Sequence, residues 1–475
     1  MFQPAANFAA FCASTRTGND PVSGNAYPDK LGSVVWENNW LRAWTHQYYL
    51  WTTEVTDVNP AGHSTKDYFD LMKTTAKTLS GADEDRFHFT YTTTAWEQLS
   101  SSNASVGYGV TWALLATSPP RKLLVAYSDA GTPAATNNLM RGATVLTIDG
   151  VDVVNDGTQA GVDKLNAGLY PATVGESHTF IVEDTPGGAQ RSITMVSQTV
   201  TEDPVPHTAT IAQPSGTVGY IEFNAHVASA ESELVAAFTQ LNTARVTDLV
   251  LDIRYNGGGY LDIASEVAYM VAGPTKTSGL TFEKETFNDP SATVNPVTGQ
   301  ALTPTPFLST TSFPPTTGQA LPHLDLPRVF VLTTSNTCSA SEAIINGLRG
   351  VGVTVIEIGS TTCGKPYGFY PQDNCGTTYF SIEFKGENNA GFGDYPDGFS
   401  PTGGSAPQGV VIPGCAVNDD YTHQLGDPAE GLLRSALGYQ ATGSCPAAAA
   451  IAPHVIVARI SRPNALMNRI MRRPN

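Results

Sequence analysis

Ser335-Asn336-Thr337-Cys338-Ser339-Ala340-Ser341-Glu342 is the stretch that decides the expected fold of this chain. It follows an apolar run, Val329-Phe330-Val331-Leu332, of the kind typical of a buried strand. After it, Ile344, Ile345 and Leu348 recur at helical spacing. The sequence therefore predicts a strand, a tight turn of small residues and a helix. A serine in such a turn lies beside the free N–H groups of a helix N-terminus, where an acyl-transfer nucleophile is needed.

A second segment has the same order of strand, turn and helix. A continuous buried strand is predicted over 249–254, it leads directly into Asn256-Gly257-Gly258-Gly259, and the residues 261–271 then have a helical pattern. This repetition predicts an α/β fold with a parallel or mixed sheet and crossover helices. Consecutive glycines cost backbone entropy unless positive φ angles or a close approach require them. Both conditions hold if Gly257 or Gly258 donates an N–H group to a reacting carbonyl oxygen.

Length and composition limit the possible functions. A chain of 475 residues with 41% hydrophobic residues is expected to form two or three domains. A net charge of −17 argues against a nucleic-acid partner or an anionic membrane. The sequence has no run of 18 apolar residues, so no transmembrane helix is predicted. The first residues, 1–11, lack the basic start of a signal peptide, so any export signal is expected to have been removed or to be absent from this sequence.

The cysteines predict disulfides rather than a metal site. No C-x-x-C pair occurs, which argues against structural zinc, and neither a metal nor a cofactor is expected. We predict a loop-closing bond between Cys363 and Cys375 and a second bond between Cys415 and Cys445. Disulfides would indicate an oxidising compartment, and free thiols in a cytosolic enzyme are the alternative. The six cysteines are Cys12, Cys338, Cys363, Cys375, Cys415 and Cys445.

Five regions are predicted along the chain. We expect an irregular arm over 1–34, a helical region over 35–104 with a stripe of aromatic residues, and a β-rich unit over 105–200. The α/β core is predicted over 201–445. The tail over 446–475 has several arginines and no acidic residue, so it should either dock on the protein body or a sister subunit, or be disordered.

Lys365 is the predicted general base for Ser339. No histidine lies between His323 and His423, and no G-x-S-x-G motif occurs, although a histidine distant in sequence could still fold into the site. Lys365 follows a second predicted strand, 353–358, and would lie at the same sheet edge as the serine. Its pKa, about 10.4 in water, would have to be lowered by burial among aromatic residues such as Tyr367, Phe369 and Tyr370.

A nucleotide-binding interpretation of this lysine is rejected. Residues 359–365 match seven positions of a phosphate-binding loop, but Pro366 occupies the position of the magnesium-binding Ser or Thr. Pro366 and Pro371 also argue against the helix that should follow such a loop.

With these residues in view, the chain resembles the C-terminal processing (tail-specific) serine proteases. The matching motifs are the segment 251–259, Cys338-Ser339-Ala340-Ser341-Glu342 and Gly364-Lys365, together with Asp85-Arg86-Phe87. The unit 105–200 resembles a bacterial PDZ domain through Gly107-Tyr108-Gly109-Val110 and the strand that ends at Asp149-Gly150. The resemblance implies a multidomain protein with a crotonase-like or ClpP-like α/β protease core, an inserted PDZ-like domain and an N-terminal helical region.

The resemblance also implies residue roles. Ser339, rather than Ser335 or Ser341, would be the nucleophile and Lys365 the general base. The N–H groups of Ala340 and of Gly257 or Gly258 would form the oxyanion hole. Gly107, Tyr108, Gly109 and Val110 would bind the C-terminal carboxylate of a peptide. Phe369 replaces the glutamine that orients the lysine in many members, so Gln372 or Glu342 is expected to take that role.

The implied function is an exported endopeptidase, in the periplasm or cell envelope, that cleaves proteins with accessible, unstructured C-termini. Two alternatives remain open at this stage. One is a catalytically silent protein of the same fold that binds peptides or other ligands. The other is an esterase that uses a Ser-His pair.

Overall fold

A computed structural model describes residues 2–20, 23–102, 104–403, 409–446 and 469–471. The polypeptide forms a mixed α/β structure with two large sheets, one in the core and one in the β-rich unit. This agrees with the predicted fold class. Among the described residues, no helix is both long and apolar enough to cross a bilayer.

The N-terminal region packs its aromatic residues against the core. The indole rings of Trp40 and Trp44 stack with centroids 5.2 Å apart, and both are buried. In the predicted helical region 35–104, Pro60 and its polar neighbours separate the first two helices, and a strand of threonines and aromatics precedes a third helix. The elements are β1 (Phe11–Cys12), β2 (Lys30–Leu31), α1 (Val34–Tyr48), α2 (Thr65–Leu71), β3 (Phe89–Thr92) and α3 (Thr93–Ser102).

The next unit contains a largely antiparallel sheet. Its elements are β4 (Ala104–Gly107), β5 (Val110–Ala116), β6 (Lys122–Ser128), α4 (Pro133–Thr136), β7 (Thr144–Ile148), β8 (Val151–Asp152), α5 (Gln159–Leu169), β9 (Ser177–Glu183), β10 (Gln190–Val196) and β11 (Gln198–Thr201). The main strand order is β10-β9-β7-β6-β5, so β5 lies at one end of this order. Asp149 and Gly150 both have positive φ, at 48° and 77°, as a tight hairpin turn requires. The predicted Asp-Gly turn is therefore confirmed.

The core sheet has the order β12-β13-β14-β18-β19-β26, with β13 to β26 parallel and β12 antiparallel at the edge. The core elements are β12 (His207–Gln213), β13 (Gly216–Glu222), α6 (Ala230–Thr243), β14 (Asp248–Asp252), β15 (Gly258–Tyr260), α7 (Leu261–Ala272), α8 (Pro274–Thr277), β16 (Thr281–Phe287), β17 (Thr305–Pro306), β18 (Arg328–Thr333), α9 (Ala340–Gly350), β19 (Thr354–Gly359), β20 (Tyr367–Gly368), β21 (Gln372–Asn374), β22 (Thr377–Phe380), β23 (Phe384–Glu387), β24 (Phe399–Pro401), β25 (Val410–Ile412), β26 (Gly414–Ala416), α10 (Gly431–Thr442) and β27 (Arg469–Met471).

Helices cover both faces of the core sheet. Leu249 and Leu251 pack in one cluster with residues of α6, α7 and α9, whereas Val250 packs with α10 on the opposite face. Alternate residues of a strand point to opposite faces, which explains why the three central residues of β14 are all apolar. The predicted parallel sheet with crossover helices is confirmed. Because β14 and β18 are parallel neighbours, the loops after them emerge at the same edge of the sheet.

All six cysteines form disulfides, which are Cys12–Cys375, Cys338–Cys363 and Cys415–Cys445. The predicted bond between Cys415 and Cys445 is confirmed. The predicted bond between Cys363 and Cys375 is wrong. Cys375 lies in the turn between β21 and β22, next to Asn374, whose side-chain oxygen accepts the N–H of Ala10 at 2.9 Å. This contact brings the N-terminal arm to the turn, and no local pattern in the sequence indicates it.

Candidate active site

Ser339 lies in a strained turn immediately before α9. Its backbone has φ 63° and ψ −118°, outside the regions that L-residues favour, and such a conformation costs on the order of 1–3 kcal/mol. The residue is buried, and its Oγ has no hydrogen-bond partner among the described residues. The predicted strand, turn and helix are all present, since β18 ends at Thr333 and α9 begins at Ala340.

Lys365 is buried between aromatic rings. Its Nζ lies 4.1 Å from the ring centroid of Phe369 and 5.0 Å from that of Phe87. The ring of Phe369, at the position where many family members have a glutamine, thus contacts the amine directly. Of the two residues considered for orienting the lysine, Gln372 lies in β21, paired with Tyr379, and Glu342 hydrogen-bonds the backbone N–H of Lys365.

One carboxylate holds the serine and lysine segments together. Oε2 of Glu342 accepts the N–H of Ser339 at 2.9 Å and the N–H of Lys365 at 2.8 Å. Oε1 accepts the N–H of Gly364 at 2.8 Å and the hydroxyl of Thr362 at 2.5 Å. The side chain is fully buried, and this burial raises the pKa of Glu342, although the four hydrogen bonds oppose the shift. The backbones of the two predicted catalytic residues therefore meet at a single oxygen atom.

A disulfide joins the same two segments. Cys338 immediately precedes Ser339, Cys363 lies two residues before Lys365, and their Cα atoms are 5.1 Å apart. The N–H of Cys363 also donates to the carbonyl of Thr337 at 3.0 Å. Cys338, Glu342 and Cys363 are close enough to surround a metal ion, but sulfurs in a disulfide are not thiolate ligands, so we do not assign a metal site there.

Asn256 attaches the glycine loop to the serine turn. Its backbone carbonyl accepts the N–H of Cys338 at 3.1 Å and the hydroxyl of Ser341 at 3.0 Å. Its side-chain oxygen accepts the N–H of Gly258 at 2.9 Å. Ser341 thus has a structural contact, and the N–H of Gly258 is already engaged. The engaged N–H of Gly258 favours Gly257 as the predicted oxyanion donor from this loop.

His226 also reaches this glycine loop, which sequence reasoning did not foresee. Its Nδ1 lies 2.9 Å from the side-chain oxygen of Asn256, and its backbone carbonyl accepts the N–H of Tyr260. Burial lowers the pKa of His226 to about 3. A base with such a pKa is poorly matched to proton transfer near neutral pH, which weakens a Ser-His interpretation based on this residue.

The motif Asp85-Arg86-Phe87 supports the lysine loop from the N-terminal region. Arg86 donates to the carbonyls of Cys363 at 2.6 Å and Pro396 at 3.0 Å, while Phe87 contacts the amine of Lys365. The sequence contained this motif as part of the family resemblance, but its position in the site depends on tertiary packing.

The chain's own tail contacts the glycine loop. The strand β27 pairs in parallel with β15, and Gly258 is opposite Arg469 in the register. Of the alternatives predicted for the basic tail, docking on the protein body therefore holds for the backbone of residues 469–471. One edge of β15 thus pairs with an extended segment of the chain.

The four predicted peptide-binding residues lie in the β-rich unit, from the end of β4 through the following loop to the start of β5. The hydroxyl of Tyr108 donates to the carbonyl of Gly168 at 3.1 Å, which fixes the loop against α5. Gly109 has φ 69°, and a Cβ there would lie 2.3 Å from Cγ2 of Thr132, so only glycine fits. The carbonyls of Tyr108 and Gly109 accept N–H groups from Ala134 and Asp129, both at about the usual hydrogen-bond distance.

Residues 217–368, which include the glycine loop, Ser339 and Lys365, match the sequence profile of peptidase family S41. This part of the chain is therefore similar to peptidase family S41. The result agrees with the resemblance that was found from the motifs alone.

Curated relatives of the chain are processing proteases. The chain is 26% identical over 235 residues to the carboxyl-terminal-processing protease of Picosynechococcus sp., a match that covers 50% of this chain and 49% of the relative. It is 31% identical over 155 residues to the chloroplastic C-terminal processing peptidase of Tetradesmus obliquus, covering 30% and 32% respectively. These matches span about half or less of the relatives' length.

A solved structure shares the fold. An S41 protease structure from Bacteroides fragilis superposes with a TM-score of 0.62 at 21% identity, covering 88% of this chain and 98% of the other. This similarity supports the mixed α/β architecture of the S41 proteins.

Proposed function

We propose that this protein is a serine endopeptidase of the C-terminal processing type that uses Ser339 as nucleophile and Lys365 as general base. The observation that carries the proposal is the shared oxygen of Glu342, which binds the backbone N–H groups of both residues. The match of residues 217–368 to peptidase family S41 and the processing proteases among the relatives support it.

In the proposed reaction, the uncharged amine of Lys365 accepts the hydroxyl proton of Ser339 as Oγ attacks the substrate carbonyl carbon. Negative charge develops on the carbonyl oxygen, where the N–H groups of Ala340 and Gly257 stabilise it by about 3 kcal/mol per donor. The peptide C–N bond then breaks, and the lysine returns the proton to the leaving amine. Water hydrolyses the acyl-enzyme in a second round of the same proton transfers.

We propose that the substrate adds as an extended strand beside β15. The pairing of β27 with β15 supports this mode, because main-chain groups next to the glycine loop already bind one extended segment. The expected partners are proteins or peptides with accessible C-termini.

The β-rich unit is proposed to act as a PDZ-like receptor for the substrate C-terminus. Gly107, Tyr108, Gly109 and Val110 lead into β5, which ends the main strand order, and a peptide could extend the sheet there. The tight contact of Gly109 with Thr132 supports a preformed loop.

Three disulfides support a protein that works in an oxidising compartment. We therefore propose export, to the periplasm or cell envelope.

The alternative is a catalytically silent protein that binds peptides or other ligands on the same fold. Ser339→Ala and Lys365→Met distinguish the two functions, with Ser335→Ala as a matched control in the same turn. Cleavage of an unfolded protein with an apolar C-terminus should fall by about 10³-fold or more in the first two variants and stay unchanged in the control. Cleavage that survives Ser339→Ala, or a wild-type protein that binds the substrate and never cleaves it, contradicts the proposal.

A further inference from the structure

The candidate active site contains a covalent bond between the segments of its two predicted catalytic residues. We propose that the Cys338–Cys363 disulfide is a positioning element for catalysis, so that reduction of this bond separates Ser339 from Lys365 and lowers turnover. The inference rests on the proposed function. Cys338 and Cys363 act through their neighbours and do not contact the reacting atoms.

The first argument is the backbone strain at the nucleophile. Ser339 has φ 63°, and a non-glycine residue keeps such a conformation only when its surroundings enforce it. On its N-terminal side, the enforcing contacts are the disulfide of Cys338 and hydrogen bonds, which include those from the N–H of Cys338 to Asn256 and from the N–H of Cys363 to Thr337. Removal of the disulfide leaves only hydrogen bonds to hold that side.

The second argument is the short connection to the lysine. Lys365 lies in a loop between β19 and β20, and the bond at Cys363 attaches this loop to the serine turn two residues before the amine. Glu342 links the two segments by hydrogen bonds only. A displacement of about 1 Å between reacting groups can cost about 10²-fold in rate, so a small relaxation of the loop suffices.

The third argument is access. Cys338 is fully buried, whereas Cys363 is partly exposed, so a small dithiol can reach the bond from the Cys363 side. In the reaction, the dithiol supplies two electrons and two protons, the S–S bond breaks to give two thiols, and the reductant becomes a disulfide. Re-oxidation reverses the change.

The chain provides matched controls in its other disulfides. Cys415–Cys445 ties α10 to β26, on the far side of the core sheet from α9. The experiment compares wild type, C338A/C363A and C415A/C445A, each with and without dithiothreitol, by hydrolysis of a fluorogenic peptide. Acetylation of Ser339 by p-nitrophenyl acetate, measured by intact mass, gives a second readout, and mass mapping after alkylation identifies the opened bonds.

We expect dithiothreitol to lower the wild-type kcat by about 10²-fold with little change in KM, and re-oxidation to restore it. C338A/C363A should have the same low kcat with or without reductant, a shifted pH–rate profile and slow acetylation. C415A/C445A should keep the wild-type kcat and remain sensitive to reductant. If C338A/C363A does not fold, partial reduction of the wild type, with mass mapping of the opened bond, replaces it.

Full kcat in wild type with the Cys338–Cys363 bond open, or in folded C338A/C363A, overturns the inference. Loss of the reductant effect in C415A/C445A also overturns it, because the effect would then come from the Cys415–Cys445 bond. An oxidised wild type with no Ser339-dependent hydrolysis would contradict the proposed function, whereas equal hydrolysis by the oxidised and reduced protein would contradict this inference alone.

Discussion

Two buried junctions in this protein connect distant segments by different chemistry. At the candidate site, Glu342 binds backbone N–H groups and a disulfide adds a covalent bond. Where the β-rich unit meets the core, Arg141 donates to Asp419 at 2.6 Å and to the hydroxyl of Tyr255 at 2.6 Å, and Asp419 also binds Arg254 at 2.8 Å. The first junction fixes main-chain positions beside a lysine, whereas the second joins two units through paired charges.

The difference indicates what each junction does. A guanidinium placed next to Lys365 would repel its ammonium form, and a fully charged, unshared carboxylate would stabilise that form. Glu342 instead spreads its charge over four neutral donors. At the unit interface no proton transfer is proposed, and the guanidinium groups lower the pKa of Asp419, although its burial acts in the opposite direction.

The largest effect on stability is expected from Arg141→Met. The change leaves buried acceptors unpaired, including the carbonyl of Ala126, and should lower the free energy of unfolding by about 3 kcal/mol or more. Arg191→Met is the control, because its pair with Asp184 is partly exposed, and it should cost at most about 1 kcal/mol. Urea denaturation measures both. Equal losses in the two variants would show that the buried junction contributes no more than a surface pair.

The second prediction concerns Glu342→Gln. Both carboxylate oxygens accept backbone N–H groups, from Gly364 at Oε1 and from Ser339 and Lys365 at Oε2. Either orientation of the glutamine amide therefore points N–H groups at other donors, and kcat should fall by about 10²-fold. Steady-state kinetics on the folded variant measure this. Glu357→Gln, at a buried glutamate of the adjacent strand, should keep kcat within a few-fold, and an equal loss in both variants would show that Glu342 has no special positioning role.

The third prediction uses the pH dependence of Glu357. Burial raises the pKa of Glu357 from 4.5 to about 8, opposed by the hydroxyl of Thr333. The folded state thus favours the neutral form, so the stabilisation from this group is complete below pH about 4.5 and is lost as pH rises towards 8. Calorimetry of wild type and Glu357→Gln from pH 5 to 9 should show the variant gaining in relative melting temperature with pH. A constant difference would contradict the raised pKa.

The smallest effect is expected from deletion of residues 469–475. The strand β27 occupies the edge of β15 where we propose that substrates add, so the tail should compete with them as an intramolecular ligand. Deletion should lower KM by a few-fold and leave kcat unchanged in peptide hydrolysis. A deletion that leaves KM unchanged would show that this strand does not compete with the substrate.

Local patterns in the sequence were sufficient to predict much of the fold. The apolar runs before Ser339 and before Gly257 predicted two strands, and the small or glycine-rich turns after them predicted the loops that meet at one sheet edge. The pairing of Cys415 with Cys445, the two cysteines nearest the end of the chain, was also predicted correctly, whereas the pairing of Cys363 with Cys375 was wrong.

The partners of the candidate residues could not be predicted in the same way. The sequence alone determined that a serine, a lysine and a glycine loop stand at turns after strands, because those properties depend on residues adjacent in the chain. Only the tertiary structure decided that Cys338 pairs with Cys363, that Phe87 lies under the amine of Lys365, and that Glu342 binds the segments of both candidate catalytic residues. These contacts join residues far apart in sequence, and their energies depend on burial and geometry that exist only after the chain has packed.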